Sequence, residues 1–409
     1  MKKLAPFFLF LATATAQADI AWVQPTTTGY EARLVTEATA CPALHTASGD
    51  TVMTARAAPS DKFLRICSAP LPAGTQNASV GGMPLPTPVA APQRILVLGD
   101  TGCRIKGATL QACNDPAKWP FPQLAAAAAK LKPDLIIHVG DYLYRESPCP
   151  AGDSGCAGSP WGDNWTTWQA DFFSPAAPLL AAAPVVITRG NHEDCTRAGP
   201  GWLRLLGPSA FDPAAPCAPH LPLYSIDLGG MRLAVMDDAT APETEVNPAD
   251  LPAYTSEIAG LAAIARPVWF LHHRPIWAAV AGPLNIPIGG NKTLMAAAGD
   301  TLIPATVELQ LSGHIHTFES INYNKGVPPQ IVGGNGGDNL DVTPQNLRGT
   351  VFQGNSHVAV TDGLSVGGFG FLLMTRVRTG WSIQLYDSDG KPTRQCGFNT
   401  ARKRLDCRA

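Results

Sequence analysis

Charge is scarce in this chain, and neither sign dominates. Charged residues make up 15% of 409, with 30 Lys plus Arg against 32 Asp plus Glu. A net charge of −2 supplies no broad positive field, so neither nucleic acid nor an anionic membrane is expected as a partner. The basic run Arg402-Lys403-Arg404 reads as a solvated tail. Past the N-terminus no apolar run reaches the roughly eighteen residues that a membrane-spanning helix needs. No Cys-x-x-Cys pair occurs, so the spacing typical of zinc and redox sites is missing. Internal repeats are absent too. What the chain does have is 45% hydrophobic residues, enough for a large core and a minor domain.

The first residues have the organisation of a signal peptide. Lys2 and Lys3 precede an apolar stretch from Leu4 to Ala14, and Ala16-Gln17-Ala18 supplies the small residues of a cleavage site. A signal peptide over residues 1–18 and a mature start at Asp19 are expected, with an oxidising destination: the periplasm or the exterior. The cysteines agree. All ten lie beyond residue 18, an even number suited to disulfides. Pairing sequence neighbours needs the fewest assumptions: Cys41 with Cys67, Cys103 with Cys113, Cys149 with Cys156, Cys195 with Cys217, and Cys396 with Cys407. Other connectivities stay open.

Composition divides the remainder. Residues 19–68 contain short β-like runs, among them Glu31 to Val35 and Lys62 to Ile66, and read as a small β-rich domain. Residues 69–92 are rich in Pro, Gly and Ala and read as a linker. From residue 93 to 409 the pattern is α/β. Three short apolar runs, Ile95 to Leu98, Leu135 to Val139 and Pro184 to Thr188, read as buried parallel strands, with a helix over Gln123 to Leu131 returning the chain between the first two. Hairpins are expected from Leu223–Asp227 with Met231–Met236, and from Phe369–Arg376 with Trp381–Tyr386. The fold class expected is a layered α/β sandwich with two mixed sheets, preceded by the small β-rich domain.

Five short segments then place metal-ligand side chains at turns: Gly99-Asp100-Thr101-Gly102, Gly140-Asp141-Tyr142-Leu143-Tyr144, Gly190-Asn191-His192-Glu193, His272-His273-Arg274-Pro275 and Gly313-His314-Ile315-His316. Three of them follow the predicted strands, so Asp100, Asp141 and Asn191 emerge at strand C-termini, where open α/β sheets build their sites. Gly-Asp and Gly-Asn commonly mark turns, and one such segment alone would mean no more than that. Hard carboxylate oxygens, a neutral amide oxygen and imidazoles together suit iron, zinc or related ions. Two ions about 3.5–4 Å apart would need a bridging carboxylate, and Asp141 in the central segment is the best placed.

In order and spacing these segments resemble the metallophosphoesterase (calcineurin-like) superfamily over roughly residues 94–320, and within it the purple acid phosphatases. Most of that superfamily has Asp-x-His in the first segment, where this chain has Asp100-Thr101-Gly102; the second compensates with Gly140-Asp141-x-x-Tyr144, in which the Tyr of purple acid phosphatases binds iron. The resemblance implies a ferric site of Asp100, Asp141, Tyr144 and His316, and a divalent site (Zn, Fe(II) or Mn) of Asp141, Asn191, His273 and His314. A trivalent cation stabilises the phenolate form of Tyr144. The reaction implied is hydrolysis of a small-molecule phosphomonoester by in-line attack of a metal-bound hydroxide, with His192 protonating the leaving oxygen. A phosphodiesterase with the same centre is the alternative, and a non-catalytic metal- or phosphate-binding protein is a third reading. The resemblance does not extend to the Cys-rich insertion from Cys149 to Trp168.

Other residues have plainer readings. His272, beside the expected ligand His273, is taken as a supporting residue. His138 reads as a core histidine, and His220 and His357 have no metal spacing around them. Glu193 and Asp194 are read as supporting or surface acids. Arg145, Arg189 and Arg274 could each bind phosphate or pair with a carboxylate. Trp161, Trp165, Trp168, Phe172 and Phe173 would either wall a cleft or pack a core. Oligomeric state is not legible in the sequence.

Overall fold

The computed structural model describes residues 19–265, 267–352 and 358–407. The expected signal peptide and His357 lie outside them. Two seven-stranded mixed sheets form the centre. The first runs, edge to edge, through Val185–Ile187, Leu135–His138, Arg94–Leu98, Gly370–Val377, Gly380–Asp387, Pro392–Asn399 and Arg404–Cys407. Its first three strands are parallel, as the apolar runs predict, and the rest antiparallel. The second runs through Tyr224–Asp227, Arg232–Val235, Val268–Leu271, Val307–Ser312, Gln330–Gly333, Phe318–Tyr323 and Val360–Val366. Both predicted hairpins form, Tyr224–Asp227 with Arg232–Val235 and Gly370–Val377 with Gly380–Asp387.

Why uninterrupted apolar runs make these strands follows from where successive side chains go. Strand residues alternate between faces, so a strand buried on both sides needs apolar residues at every position. Ile95 and Val97 join Leu135, Ile137, Trp269, Leu271, Leu309 and Leu311 between the two sheets. Leu96, Leu98 and Ile136 face outward beneath the helices Phe121–Ala129 and Ser174–Ala182. On the second sheet Val268 and Phe270 face outward beneath Leu251–Gly260 and Lys292–Ala298. The result is a four-layer α/β sandwich. Its first helix begins two residues before the predicted start because Pro122 fits the opening turn, where no backbone N–H is needed.

The N-terminal residues form a four-stranded sheet in the order Ile20–Thr26, Gly29–Thr36, Arg65–Pro70, Thr54–Ala57. A second small sheet joins Ala43–Thr46 and Gly49–Val52 to Ser79–Val80 and Met83–Pro84, so residues 69–92 contribute strands of their own. Residues Lys62 to Leu64 precede a strand instead of belonging to it, because Ser60 Oγ accepts from Lys62 N and Phe63 N and turns the chain there. Arg33 and Arg56 anchor this sheet on the end of the helix Gly199–Leu205, donating to the carbonyls of Leu203, Arg204, Leu205 and Gly207. Trp22, Phe63 and Ile66 pack with Trp165, Trp168, Phe172 and Phe173. Of the predicted aromatic cluster only Trp161 is exposed; the other four are core.

All five neighbour disulfides are present, with Cα–Cα separations of 4.1 to 5.7 Å. No helix among the described residues is long and apolar enough to cross a membrane.

Candidate metal centre

Six of the seven predicted donors lie just past the C-terminal end of a central strand, and Tyr144 follows three residues after Asp141. Asp100 follows Arg94–Leu98, Asp141 follows Leu135–His138, Asn191 follows Val185–Ile187, His273 follows Val268–Leu271, and His314 and His316 follow Val307–Ser312. The parallel strands of both sheets therefore deliver their donors to one edge of the sandwich. The turns are tight. Asp100, Asp141 and His314 have left-handed backbones, with φ of 56°, 57° and 69°, a conformation that packing must hold in non-glycine residues. Gly140 has φ of 104°, and a Cβ there would come within 2.8 Å of His273 Cγ. Only glycine lets the turn pass so close to the imidazole.

The side chains converge in two overlapping groups. Tyr144 Oη lies 2.8 Å from Asp141 Oδ2, 3.2 Å from Asp100 Oδ1 and 3.1 Å from His316 Nε2. His273 Nε2 lies 3.1 Å from Asn191 Oδ1 and 3.2 Å from Asp141 Oδ2. Ligand atoms of Asp141, His273 and His314 lie within 4.8 Å of one another. Asp141 belongs to both groups.

Two imidazoles are oriented from behind. His273 Nδ1 donates to Val139 O at 2.8 Å, and His316 Nδ1 donates to Asn339 O at 2.7 Å. A carbonyl can only accept, so Nδ1 carries a proton in each ring and Nε2 faces the cluster, where its lone pair becomes available when a cation replaces the Nε2 proton. That is how metal-binding histidines are held. The donor set, two buried carboxylates, an amide oxygen, a phenol and inward imidazole nitrogens, fits a pair of cations.

Electrostatics point the same way. Burial opposes the charge on Asp141, but facing His273 and His192 outweighs it and holds the carboxyl well below its ordinary pKa. Burial likewise opposes charge on His273, yet Asp141 and then Asp100 raise it to about 10. His316, beside Asp100 and Asp338, is raised against burial to about 9. Burial, then Asp141 and Asp100, push the Tyr144 phenol well above 10. Concentrated negative charge of this kind is relieved by cations, whose presence inverts the logic for a phenol.

Several carboxylates beneath the cluster hold the loops. Glu193 is buried and accepts from Gly190 N, Asp141 N, Tyr142 N and Leu143 N at 2.8 to 3.2 Å, tying the second and third segments together; burial raises it to about 8. Asp171 accepts from Cys103 N and Tyr144 N, each at 2.8 Å, and pairs with Arg145. Asp238 accepts from His273 N at 3.1 Å and Arg274 N at 2.9 Å. Glu146 Oε1 lies 2.6 Å from His192 Nδ1, and the His192 ring packs over Tyr144 with centroids 3.8 Å apart. Arg104 stands 4.8 Å above the Tyr144 ring and pairs with Asp338, which also approaches His316 Nδ1 at 3.5 Å. Glu243 contacts His314 Nε2, with Arg274 alongside.

The sequence reading did not single out Glu146, Asp171, Asp238, Glu243, Asp338 or Arg104. A signal existed for two of them: Asp238 follows the strand Arg232–Val235, and Asp338 follows Gln330–Gly333, the same position as the donors. Arg145 and Arg189 are resolved as structural, paired with buried Asp171 and Asp237. Asp194 pairs with Arg197. His272 stands apart from the donors, its Nδ1 bonded to Arg274 O at 2.8 Å. His138 is a satisfied core residue, 3.0 Å from Thr101 Oγ1 and stacked on Tyr142, and burial lowers it to about 3. His220 pairs with Glu257, away from the site.

A cleft of about 890 Å³ opens over the cluster, with Asp141, Tyr144, Asn191, His192, His314 and His316 in its lining. Asp100 and His273 lie fully buried beneath.

Comparison with known proteins matches this geometry to a family. No curated protein sequence matches the chain. Solved structures similar to it include the purple acid phosphatase PPD1 from yellow lupin (Lupinus luteus) seeds, at 15% identity and a TM-score of 0.56, covering 92% of this chain and 74% of that one. Another is PhoD, at 10% identity and a TM-score of 0.57, covering 99% of this chain and 94% of that one. Likeness at such low identity is likeness of fold. The family model of the calcineurin-like phosphoesterases matches residues 93–318, the segment that carries all five donor turns. Since that match spans more than half of the chain, the protein belongs to the calcineurin-like phosphoesterase family, with the metal-dependent phosphoester chemistry that membership carries.

Proposed function

We propose that the chain is an exported phosphatase that hydrolyses small phosphomonoesters at a dinuclear metal centre. Asp100, Asp141, Tyr144 and His316 would hold a ferric ion, and Asp141, Asn191, His273 and His314 a divalent zinc, iron or manganese ion. The observation that carries the reading is the sharing of Asp141 between two donor groups whose His273 and His316 rings are locked Nε2-inward by backbone carbonyls. A cation pair supplies charge that clamps phosphate oxygens and lowers the pKa of water.

The chain's own residues do the rest. Glu146 lies 2.6 Å from His192 Nδ1, a contact that favours the doubly protonated ring, and in that form Nε2 is the nitrogen that would give its proton to the departing oxygen, leaving the neutral imidazole. His192 stands in the cleft lining, where a leaving group would sit. Arg104, Lys106 and Arg197 also line the cleft, paired with Asp338, Glu146 and Asp194 respectively, so an anionic substrate would have to share them with those carboxylates. The five disulfides agree with an oxidising compartment, periplasmic or extracellular.

One observation favours a second reading. A cleft of about 890 Å³ is roomier than a phosphate and one small group require, and a phosphodiester would use the extra space. Purified protein assayed on an aryl monoester and a bis-aryl diester, with metals quantified, tests both. Two metals per chain with preferential monoester turnover is expected. Diester preference would replace the first reading by the second, and metal binding without turnover on either ester would leave a binding protein.

A further inference from the structure

The cleft that holds the donor cluster also has an apolar wall. The hairpin pairing Ala279–Ala281 with Pro287–Gly289 brings Val280 opposite Ile288. Val280, Pro287, Ile288, Met295, Val351 and Phe352 line the cavity together, and none offers a side-chain N–H or O–H. Ile288 is 50% and Val351 53% exposed while Met295 and Phe352 are buried, so Ile288 and Val351 are the side chains an occupant of the cleft would meet most fully. The location is not accidental scatter. Among the described residues nine large hydrophobics are exposed, and five of them (Leu284, Ile286, Ile288, Val342 and Val351) lie on this hairpin and the neighbouring stretch. The stretch is bonded to the hairpin, Ala281 N donating to Val342 O at 2.9 Å and Gln345 N to Asn285 Oδ1 at 3.0 Å. Of these five, Ile288 and Val351 line the cavity itself, so the apolar contact inside the cleft rests on those two, while Leu284, Ile286 and Val342 lie outside the lining.

The polar and apolar parts of the cleft divide the recognition. The donor cluster, with the cations it would hold, suits a phosphate; the wall suits an organic group that needs no hydrogen bonds. A sugar or nucleoside hydroxyl turned onto these six side chains would lose water without compensation, a costly exchange, and its nearest partners in the lining would be Thr244, Lys292 and Thr350. We propose that the substrate is a phosphoester with an apolar organic group, an alkyl chain or aromatic ring, which lies along this wall while its phosphate faces the donor cluster. The proposal rests on the phosphoester reading above and adds the organic half of the substrate.

The test separates it from that reading. Metal-loaded full-length protein is titrated calorimetrically with methylphosphonate and hexylphosphonate, both monomeric, and assayed on glycerol phosphate and hexyl phosphate. Five further methylenes with one side against protein give about tenfold tighter binding of the hexyl ligand. Ile288→Ser with Val351→Ser should cut that ratio to about twofold, while metal content and thermal unfolding report that the variant is folded. Leu284→Ser, outside the cavity lining, should leave the ratio intact. Equal binding of the two phosphonates by the wild type, or a ratio that survives the double substitution, would overturn the proposal. Loss of the ratio in Leu284→Ser would overturn it too, since the contact would then lie outside the cleft. Hydrolysis of both esters at equal kcat/KM would refute the proposal and keep the catalytic reading. Selective hexylphosphonate binding with no turnover would keep the wall's role and refute catalysis.

Discussion

Gly190→Ala tests how tightly the centre is built. Gly190 has φ −96° and ψ 174°, a backbone open to any residue, so a methyl group there meets only steric resistance. That resistance falls on the shared carboxylate. The new Cβ would lie within 2.8 Å of Asp141 Cγ, and nearer still to its Oδ1 and N, where ordinary contact begins at 3.4 Å. Asp141 has little room to yield, being buried, with its Oδ1 already accepting from His192 N at 2.9 Å. The carboxyl group must therefore shift by roughly 1 Å, and a shift of that size at a reacting centre costs about a hundredfold in turnover. Overpacking should also cost about 1–3 kcal/mol of stability. Gly260→Ala is the control: a Cβ on that helical glycine would have nothing within 4 Å, so the same substitution should stabilise by about 0.4–1 kcal/mol and leave turnover alone. Phosphate release from an aryl ester, metal per chain and urea unfolding read all three. Wild-type metal content and turnover in Gly190→Ala would refute the placement of Asp141.

Glu146→Gln removes the charge that engages His192 Nδ1 and should lower kcat by about tenfold with metal content unchanged; an unaltered kcat would remove Glu146 from the proton path. If Tyr144 binds ferric iron as phenolate, the purified protein is coloured and Tyr144→Phe loses the band, whereas a colourless wild type with two divalent ions and no iron contradicts the ferric assignment. Away from the centre, burial works against charge on His220, but Glu257 at 2.8 Å prevails and raises its pKa above 6.5. A raised folded value means that the pair's stabilisation is complete below about pH 6.5 and fades as pH rises through the folded value. The stability gap between wild type and His220→Gln should thus be wider at pH 6 than at pH 9, and a gap that does not change with pH would rule the linkage out.

How much of this was legible in the sequence depends on whether the signal was local. Ile95 to Leu98 and Leu135 to Val139 announced doubly covered strands because both faces must be apolar, and glycine before Asp100, Asp141 and Asn191 announced the turns that follow. Disulfide partners were legible because neighbours close short loops. The supporting acids were not: Asp171 reaches Cys103 across 68 residues, and Asp338 reaches Arg104 across 234. Arg145 and Arg189 were ambiguous for the same reason, as their carboxylate partners are 26 and 48 residues away. The aromatic cluster from Trp165 to Phe173 reads equally as cleft or core until Trp22 and Ile66 of the N-terminal sheet, with Phe63 from the turn before its third strand, are placed against it. The apolar wall was hidden too, since Ile288 and Val351, far apart in sequence, are joined only through the fold.

The central claim, that one carboxylate serves two metal sites and that hydrolysis depends on it, is tested most directly by Asp141→Asn, with metals per chain and phosphate release measured on the same preparation. Asn keeps the size of the side chain and removes the charge that both donor groups share. Metal content and turnover should collapse together while the five disulfides and the fold persist. Two metals per chain with undiminished turnover in Asp141→Asn would contradict the claim.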